Sequence, residues 1–209
     1  HLIFLLDHLP SQMHIVLISR EDPPFPLSRL RARGQITDIR QADLRFTEEE
    51  TRDFAQRMMQ VGLSDDDIAV LYASTEGWVT GLQFAALSMQ EHGDVQRLLQ
   101  SLTGDNRYIL DYLMDEVFQR QPAEVQDFLL KTSVLERLSA SLCVFFFKQK
   151  TAYEILLALE HSNLFIVPLD EIRQWYRYHR LFADLLRHRL EAEPQYDVHR
   201  LHRRASQWY

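Results

Sequence analysis

Asn163-Leu164-Phe165-Ile166-Val167-Pro168-Leu169-Asp170, followed after Glu171-Ile172-Arg173 by Gln174-Trp175-Tyr176-Arg177-Tyr178-His179, decides how this chain reads. Residues 164–168 and 174–178 are short runs rich in β-branched and aromatic side chains. Asp170-Glu171 lies between them, so the pair predicts an antiparallel hairpin.

Upstream of the hairpin the period changes from two to about 3.6. Ile109, Leu110, Leu113 and Val117 recur at core spacing in a helix beginning near Asn106. Pro122 opens a second helix that turns Val125, Phe128 and Leu129 inward, and a third reaches about residue 162. Three helices and then a hairpin is the element order of a winged helix, placed at residues 105–192. A further helix over 180–190 follows the hairpin. The stretch 193–209 begins another with Val198, Leu201 and Ala205 inward, which reads as the first half of a helical repeat.

Further toward the N-terminus, residues 46–104 read as a small helical bundle. Thr47 with Glu50 is a capping box before a helix to about residue 60, and Ser64 with Asp67 starts the next in the same way. Glu76-Gly77-Trp78 marks a turn, after which Leu82, Ala85, Ala86 and Met89 share one helix face. A short helix over 94–102 ends at Gly104. Residues 1–45 have a different character. His14-Ile15-Val16-Leu17-Ile18-Ser19 is a continuous apolar run suited to a strand buried on both faces, and 36–40 can form another. Residues 27–33 predict a short helix stopped by Gly34. This part reads as the C-terminal portion of an α/β domain, so the fold class is mainly α with an α/β remnant.

Composition narrows the function classes. The 209 residues carry a net charge of −7, which argues against a nucleic-acid-coating protein. The lone cysteine, Cys143, has no intrachain partner to oxidise with. No apolar run approaches the roughly 20 residues of a membrane-spanning helix. With no initiator Met and no basic region ahead of Leu2-Ile3-Phe4, a signal peptide is not indicated, and the chain is expected to begin and end inside a longer cytoplasmic protein.

Several strings, in order, resemble one family. They are Leu5-Leu6-Asp7-His8-Leu9-Pro10, Ser19-Arg20 with Asp22-Pro23-Pro24, Leu27-Ser28-Arg29-Leu30-Arg31-Ala32-Arg33-Gly34, and Thr75-Glu76-Gly77-Trp78-Val79-Thr80-Gly81-Leu82-Gln83. Tyr112-Leu113-Met114-Asp115-Glu116-Val117 and Trp175-Tyr176-Arg177-Tyr178-His179-Arg180-Leu181-Phe182 complete the series. Together they resemble the MalT-like branch of the LuxR-type transcription activators, signalling ATPases of the STAND class. The resemblance implies the end of a P-loop ATPase domain (1–45), a helical lid (46–104), a winged helix (105–192) and the start of a TPR-like superhelix (193–209). It also implies that Asp7 lies on a helix and is not a metal ligand. The Walker motifs and the DNA-reading helix-turn-helix would lie outside this stretch, which contains no G-x-x-x-x-G-K-[ST] string.

What the resemblance implies about sites is a shared ATP/ADP pocket. Arg20 would be the arginine that senses the terminal phosphate, its planar donors matching phosphate oxygens; the alternative is an ion pair with Glu21 or Asp22. Gly81, Leu82 and Gln83 fall where related ATPases close a Gly-x-Pro turn over the base, with Gln83 in place of the proline. His179 would contact the diphosphate of ADP, or else simply pack the wing against the next helix. Trp78 reads as base-adjacent or as a core anchor. The arginines of 171–209 are interleaved with Glu171, Asp184, Glu191, Glu193 and Asp197, which reads as a solvated mixed face.

The expected activity is regulatory and not enzymatic: a nucleotide-dependent conformational switch, with ATP or ADP and Mg bound by the intact parent and none held tightly by this stretch. An inducer, further copies of the protein, promoter DNA and RNA polymerase are the partners expected of the parent, with no membrane and no direct DNA contact here. A winged-helix DNA-binding module and a self-contained NTP hydrolase are the alternatives.

One segment departs from the rest. Two of the three lysines, Lys148 and Lys150, sit beside Phe145-Phe146-Phe147 in an otherwise arginine-biased chain. Residues 145–155 also resemble the translation of a common short-read sequencing adapter after a thymine run, and are read as an assembly artefact. The bland alternative is a genuine apolar helix junction. Resequencing the coding DNA is expected to return adapter-like codons there, and ordinary GC-rich codons would retire the reading.

Overall fold

The computed structural model describes residues 2–10, 12–19, 23, 25–59, 62–92, 107–147, 151–162 and 164–208. The chain is mostly helical, with one two-stranded sheet among the described residues.

The helical bundle begins with α3 (Glu48–Met59) and α4 (Asp65–Thr75), following α1 (Leu2–Asp7) and α2 (Ser28–Ala32). Both capping boxes form. The Thr47 N–H donates to Glu50 Oε2 at 2.8 Å while the Glu50 N–H donates to Thr47 Oγ1 at 3.2 Å, and Ser64 and Asp67 repeat the exchange. Each box satisfies backbone donors that a helix start leaves free. Thr51, Ala55 and Met59 then bury one stripe of α3, and Ile68 and Leu71 bury one of α4. Helix α5 (Val79–His92) closes the bundle with Leu82, Ala85, Ala86 and Met89, all within 2% of full burial. The predicted helix over 94–102 lies outside the described residues.

Helix α6 (Arg107–Tyr112) runs into a π-helical stretch, Leu113–Phe118, where the adjacent Val117 and Phe118 both face inward. Next come α7 (Ala123–Thr132), α8 (Ala140–Phe147) and α9 (Thr151–His161), so the predicted third helix is two helices. The anomalous segment contributes to both: Phe146 and Ala152 are buried, and Phe147 stacks on Phe128 at 5.1 Å between ring centres.

Strands β1 (Ile166–Pro168) and β2 (Tyr176–Tyr178) pair antiparallel with Ile166 opposite Tyr178. Leu138 adds a bridge to Tyr176 through two backbone hydrogen bonds of 2.7 and 2.8 Å. The Tyr178 and Thr132 hydroxyls share a buried 2.6 Å bond, which fixes the hairpin to the end of α7. Helix α10 (Arg180–Ala192) buries Leu181, Phe182, Leu185, Leu186 and Leu190 against both α7 and α4. Helix α11 (Val198–Ser206) packs through Ala205, and the half-buried Trp208 sits edge-on to Trp175 at 5.8 Å.

The two strands expected within 1–45 are corrected. Residues 13–19 and 35–40 form no strand, and Val16 and Ile18 are 83% and 96% exposed. A run suited to a doubly covered parallel strand needs a neighbour on either edge, and the described residues offer none. The short helix does form, with Gly34 at φ +64° just beyond its end. Asp7 lies on α1 and pairs with Arg29 at 2.6 Å.

The tightest backbone packing is at the α4–α5 turn. Gly77 has φ +70°, its carbonyl accepts the Phe46 N–H at 2.9 Å, and a Cβ there would collide with the Phe46 backbone. Gly77→Ala is therefore expected to lower stability by roughly 2 kcal/mol or more, read as a reduced urea midpoint at constant m-value; an unchanged midpoint would contradict this packing.

Candidate functional site

Helix α4 ends at Thr75 with two consecutive left-handed residues, Glu76 at φ +51° and Gly77 at φ +70°. The chain reverses there and enters α5. Left-handed backbone suits Gly77, whereas Glu76 adopts it against the usual preference of a side chain with a Cβ. This turn is where the bundle of α3–α5 meets the hairpin and α10.

His179 reaches it from the other side. It sits between β2 and α10, 1% exposed, and its backbone N–H donates to the Phe165 carbonyl at 2.7 Å. Its Nε2 donates to the Thr75 carbonyl at 2.9 Å. A carbonyl can only accept, so Nε2 carries the proton. In the neutral ring Nδ1 is then a bare acceptor, and it is buried without a hydrogen-bond partner. Trp78 and Phe165 present their rings edge-on to the imidazole at 6.1 and 5.7 Å. Burial in this aromatic surround pushes the imidazole down to about 4, against the opposing pull of the Glu76 carboxylate.

Glu76 gathers donors from three segments. Arg177 of β2 clamps it with two nitrogens, Nη1 to Oε1 at 2.6 Å and Nη2 to Oε2 at 3.0 Å. Arg45 Nη1 donates to Oε2 at 3.2 Å, and the backbone N–H of Arg180 donates to Oε1 at 3.0 Å. The side chain is 13% exposed. Burial alone would raise its pKa; the Arg177 hydrogen bonds, the nearby His179, the Arg180 N–H and the Arg177 charge together hold it at about 2.

The residues singled out in the sequence fall as follows. Gly81 lies in the first turn of α5, where a Cβ would come within 2.8 Å of the Trp78 ring, 3.4 Å of Leu181 and 3.5 Å of Thr75. Gly81 and His179 thus converge on the same Thr75–Trp78 corner. Leu82 is fully buried in the bundle core, so its side chain packs and offers no surface to a ligand. Gln83 is half-buried on the flank. Arg20 lies outside the described residues. Trp78 is a packing anchor, with Phe165 edge-on at 5.1 Å and Tyr112 at 6.0 Å. The mixed-charge reading of the C-terminal arginines holds where partners are in reach: Arg173 pairs with Glu160, Arg187 with Asp184 and Arg189 with Glu193.

Sequence reasoning missed Glu76, Arg45 and Arg177 as a group. Glu76 read only as part of a turn and Arg177 only as one arginine among many. The signal that could have found Glu76 is a carboxylate immediately before a helix-ending glycine, which is weak by itself.

Residues 114–198 match the MalT winged helix domain family. The chain is 33% identical over 206 residues to the serine/threonine-protein kinase PknK of Mycobacterium tuberculosis, covering 99% of this chain and 19% of that protein. It is 33% identical to the HTH-type transcriptional regulator MalT of Klebsiella pneumoniae and 34% to that of Serratia proteamaculans, covering 98% of this chain and 23% of each. The chain therefore spans about a fifth of the length of the curated relatives it matches. Residues 114–198 thus match the MalT winged helix domain family, and nearly the whole chain is similar to a stretch of the MalT regulators and of PknK.

Proposed function

We propose that this chain is the lid and winged helix of an ATP/ADP-switched transcription regulator, acting as the part that changes packing and not as the part that reads DNA. One comparison supports the division of labour. The same segment occurs in proteins named for two different outputs, a kinase and a helix-turn-helix regulator. A segment common to both is suited to relaying a state. The observation that carries the reading is His179, buried at the lid–winged-helix seam with one imidazole nitrogen held by Thr75 and the other unsatisfied. An unpaired buried acceptor favours any rearrangement that gives it a partner.

In this reading the intact parent binds ATP or ADP with Mg, and Arg20, Gly81, Gln83 and His179 border the nucleotide. Leu82 supports that border from the core. ADP holds lid and winged helix closed; inducer and ATP open them, and copies of the parent associate at promoter DNA with RNA polymerase. Hydrolysis resets the switch and is not a metabolic reaction. No described helix is long and apolar enough to cross a membrane. By its likeness to transcription regulators the parent is read as cytoplasmic. A parent whose output is a protein kinase is the second reading, favoured by the PknK likeness; the coding sequence beyond the chain distinguishes the two.

Binding of ADP to the full-length parent, followed by equilibrium dialysis, is expected to weaken about ten-fold or more in His179→Ala. Unchanged affinity would refute a nucleotide role for this histidine. Neither ATPase turnover by this chain alone nor tight duplex binding at physiological salt is expected, and either result would restore the hydrolase or DNA-binding alternative.

The buried histidine also sets an acid limit. Its pKa is about 4 when folded and ordinarily 6.5, so the unfolded chain takes up the proton first as pH falls. Its contribution is complete above pH 6.5 and is lost between 6.5 and 4, with a slope of at most about 1.4 kcal/mol per pH unit. Glu76 acts lower, its contribution being lost between 4.5 and about 2. Urea midpoints measured from pH 7.5 to 4.5 should fall for the native chain and flatten for His179→Gln; parallel curves would count against the buried neutral imidazole.

A further inference from the structure

The seam has two kinds of contact. One is apolar, through Leu181, Phe165 and Trp78. The other is polar: the His179–Thr75 bond and a single carboxylate, Glu76, with three sets of donors. Resting on the switch reading above, we propose that Glu76 is a releasable catch between lid and winged helix: its grip on Arg177 and the Arg180 N–H keeps the two together while Arg45, on its own side of the seam, steadies the carboxylate, and its release frees the winged helix and uncovers His179.

Four features argue for a catch and against a passive surface pair. The Arg177 clamp is bidentate, so it fixes orientation as well as distance. The bond to the Arg180 N–H places a negative charge at the positive end of α10, where His179 as N-cap supplies no side-chain bond of its own. The carboxylate therefore completes a helix that belongs to the other unit. Glu76 also holds a left-handed conformation that glycine or asparagine would adopt with less strain, and that conformation sits directly at the grip. Lastly, an ion cluster regains hydration when it parts. That regained hydration offsets part of what the bonds contribute, which suits a contact that opens and re-forms.

Hydrogen–deuterium exchange on this chain without nucleotide tests the catch. In Glu76→Gln, which keeps the size and one acceptor but loses the charge, the peptides covering residues 75–82 and 179–186 should exchange about ten- to a hundred-fold faster. Those covering 54–59 and 126–132 should keep native rates. Arg45→Gln, which leaves the hairpin intact, should give a smaller rise in the same seam peptides. No change at the seam overturns the proposal, and so does an equal rise in all four peptides, which would make Glu76 an ordinary part of the scaffold. The nucleotide reading fails separately: a seam that opens in Glu76→Gln beside an ADP affinity indifferent to His179→Ala keeps the catch and removes the diphosphate contact.

Discussion

Helix α10 carries a broad apolar face, and two different units cover it. Leu185, Leu186 and Leu190 belong to a face that the winged-helix core needs, while Leu181 reaches the Gly81–Trp78 corner of the α3–α5 bundle. A helix of this composition cannot be left half-solvated without exposing several large side chains at once. That burial makes the α3–α5 bundle and the winged helix neighbours, and the polar contacts at the seam are arranged around it. Thr75, Glu76 and His179 meet because α10 begins where α4 ends.

The polar contacts decide which way the apolar surfaces meet. Hydrophobic contact is non-directional, so leucines alone would tolerate sliding of one unit over the other. The His179–Thr75 bond and the paired Arg177–Glu76 bonds have fixed lengths and angles. They select one register at little net energetic gain, since each charged or polar group also gives up water to be there. The depressed pKa values of Glu76 and His179 describe the same situation from the side of the proton: a carboxylate surrounded by donors, and an imidazole denied the solvent its charged form needs.

Much of the helical architecture was legible because its signals are local. Thr47 with Glu50 and Ser64 with Asp67 span three residues, and the α3 stripe of Thr51, Ala55 and Met59 repeats every four. The hairpin was legible from its two aromatic runs, though the paired strands are shorter than the runs themselves. The apolar run at 14–19 misled because a strand is defined by neighbours, not by its own composition. The π-helical stretch at Leu113–Phe118 was invisible, since it carries no proline or glycine. At the site, His179 and Gly81 could be singled out one by one. The group around Glu76 could not, because its partners lie 31 and 101 residues away in the chain.

The contact between Trp208 and Trp175 has a mechanical meaning. Helix α11 is tied to the hairpin by those two indoles, and the Arg204 guanidinium lies over the Phe146 ring at 5.7 Å. Anchored by these two contacts near its C-terminal end, α11 turns as one piece with the winged helix. A tilt of a few degrees at the α4–α10 junction would displace the near end of α11 slightly and its far end more, in proportion to distance from the pivot. The geometry is that of a lever arm, in which angular motion too small to disturb the core grows into travel at the tip.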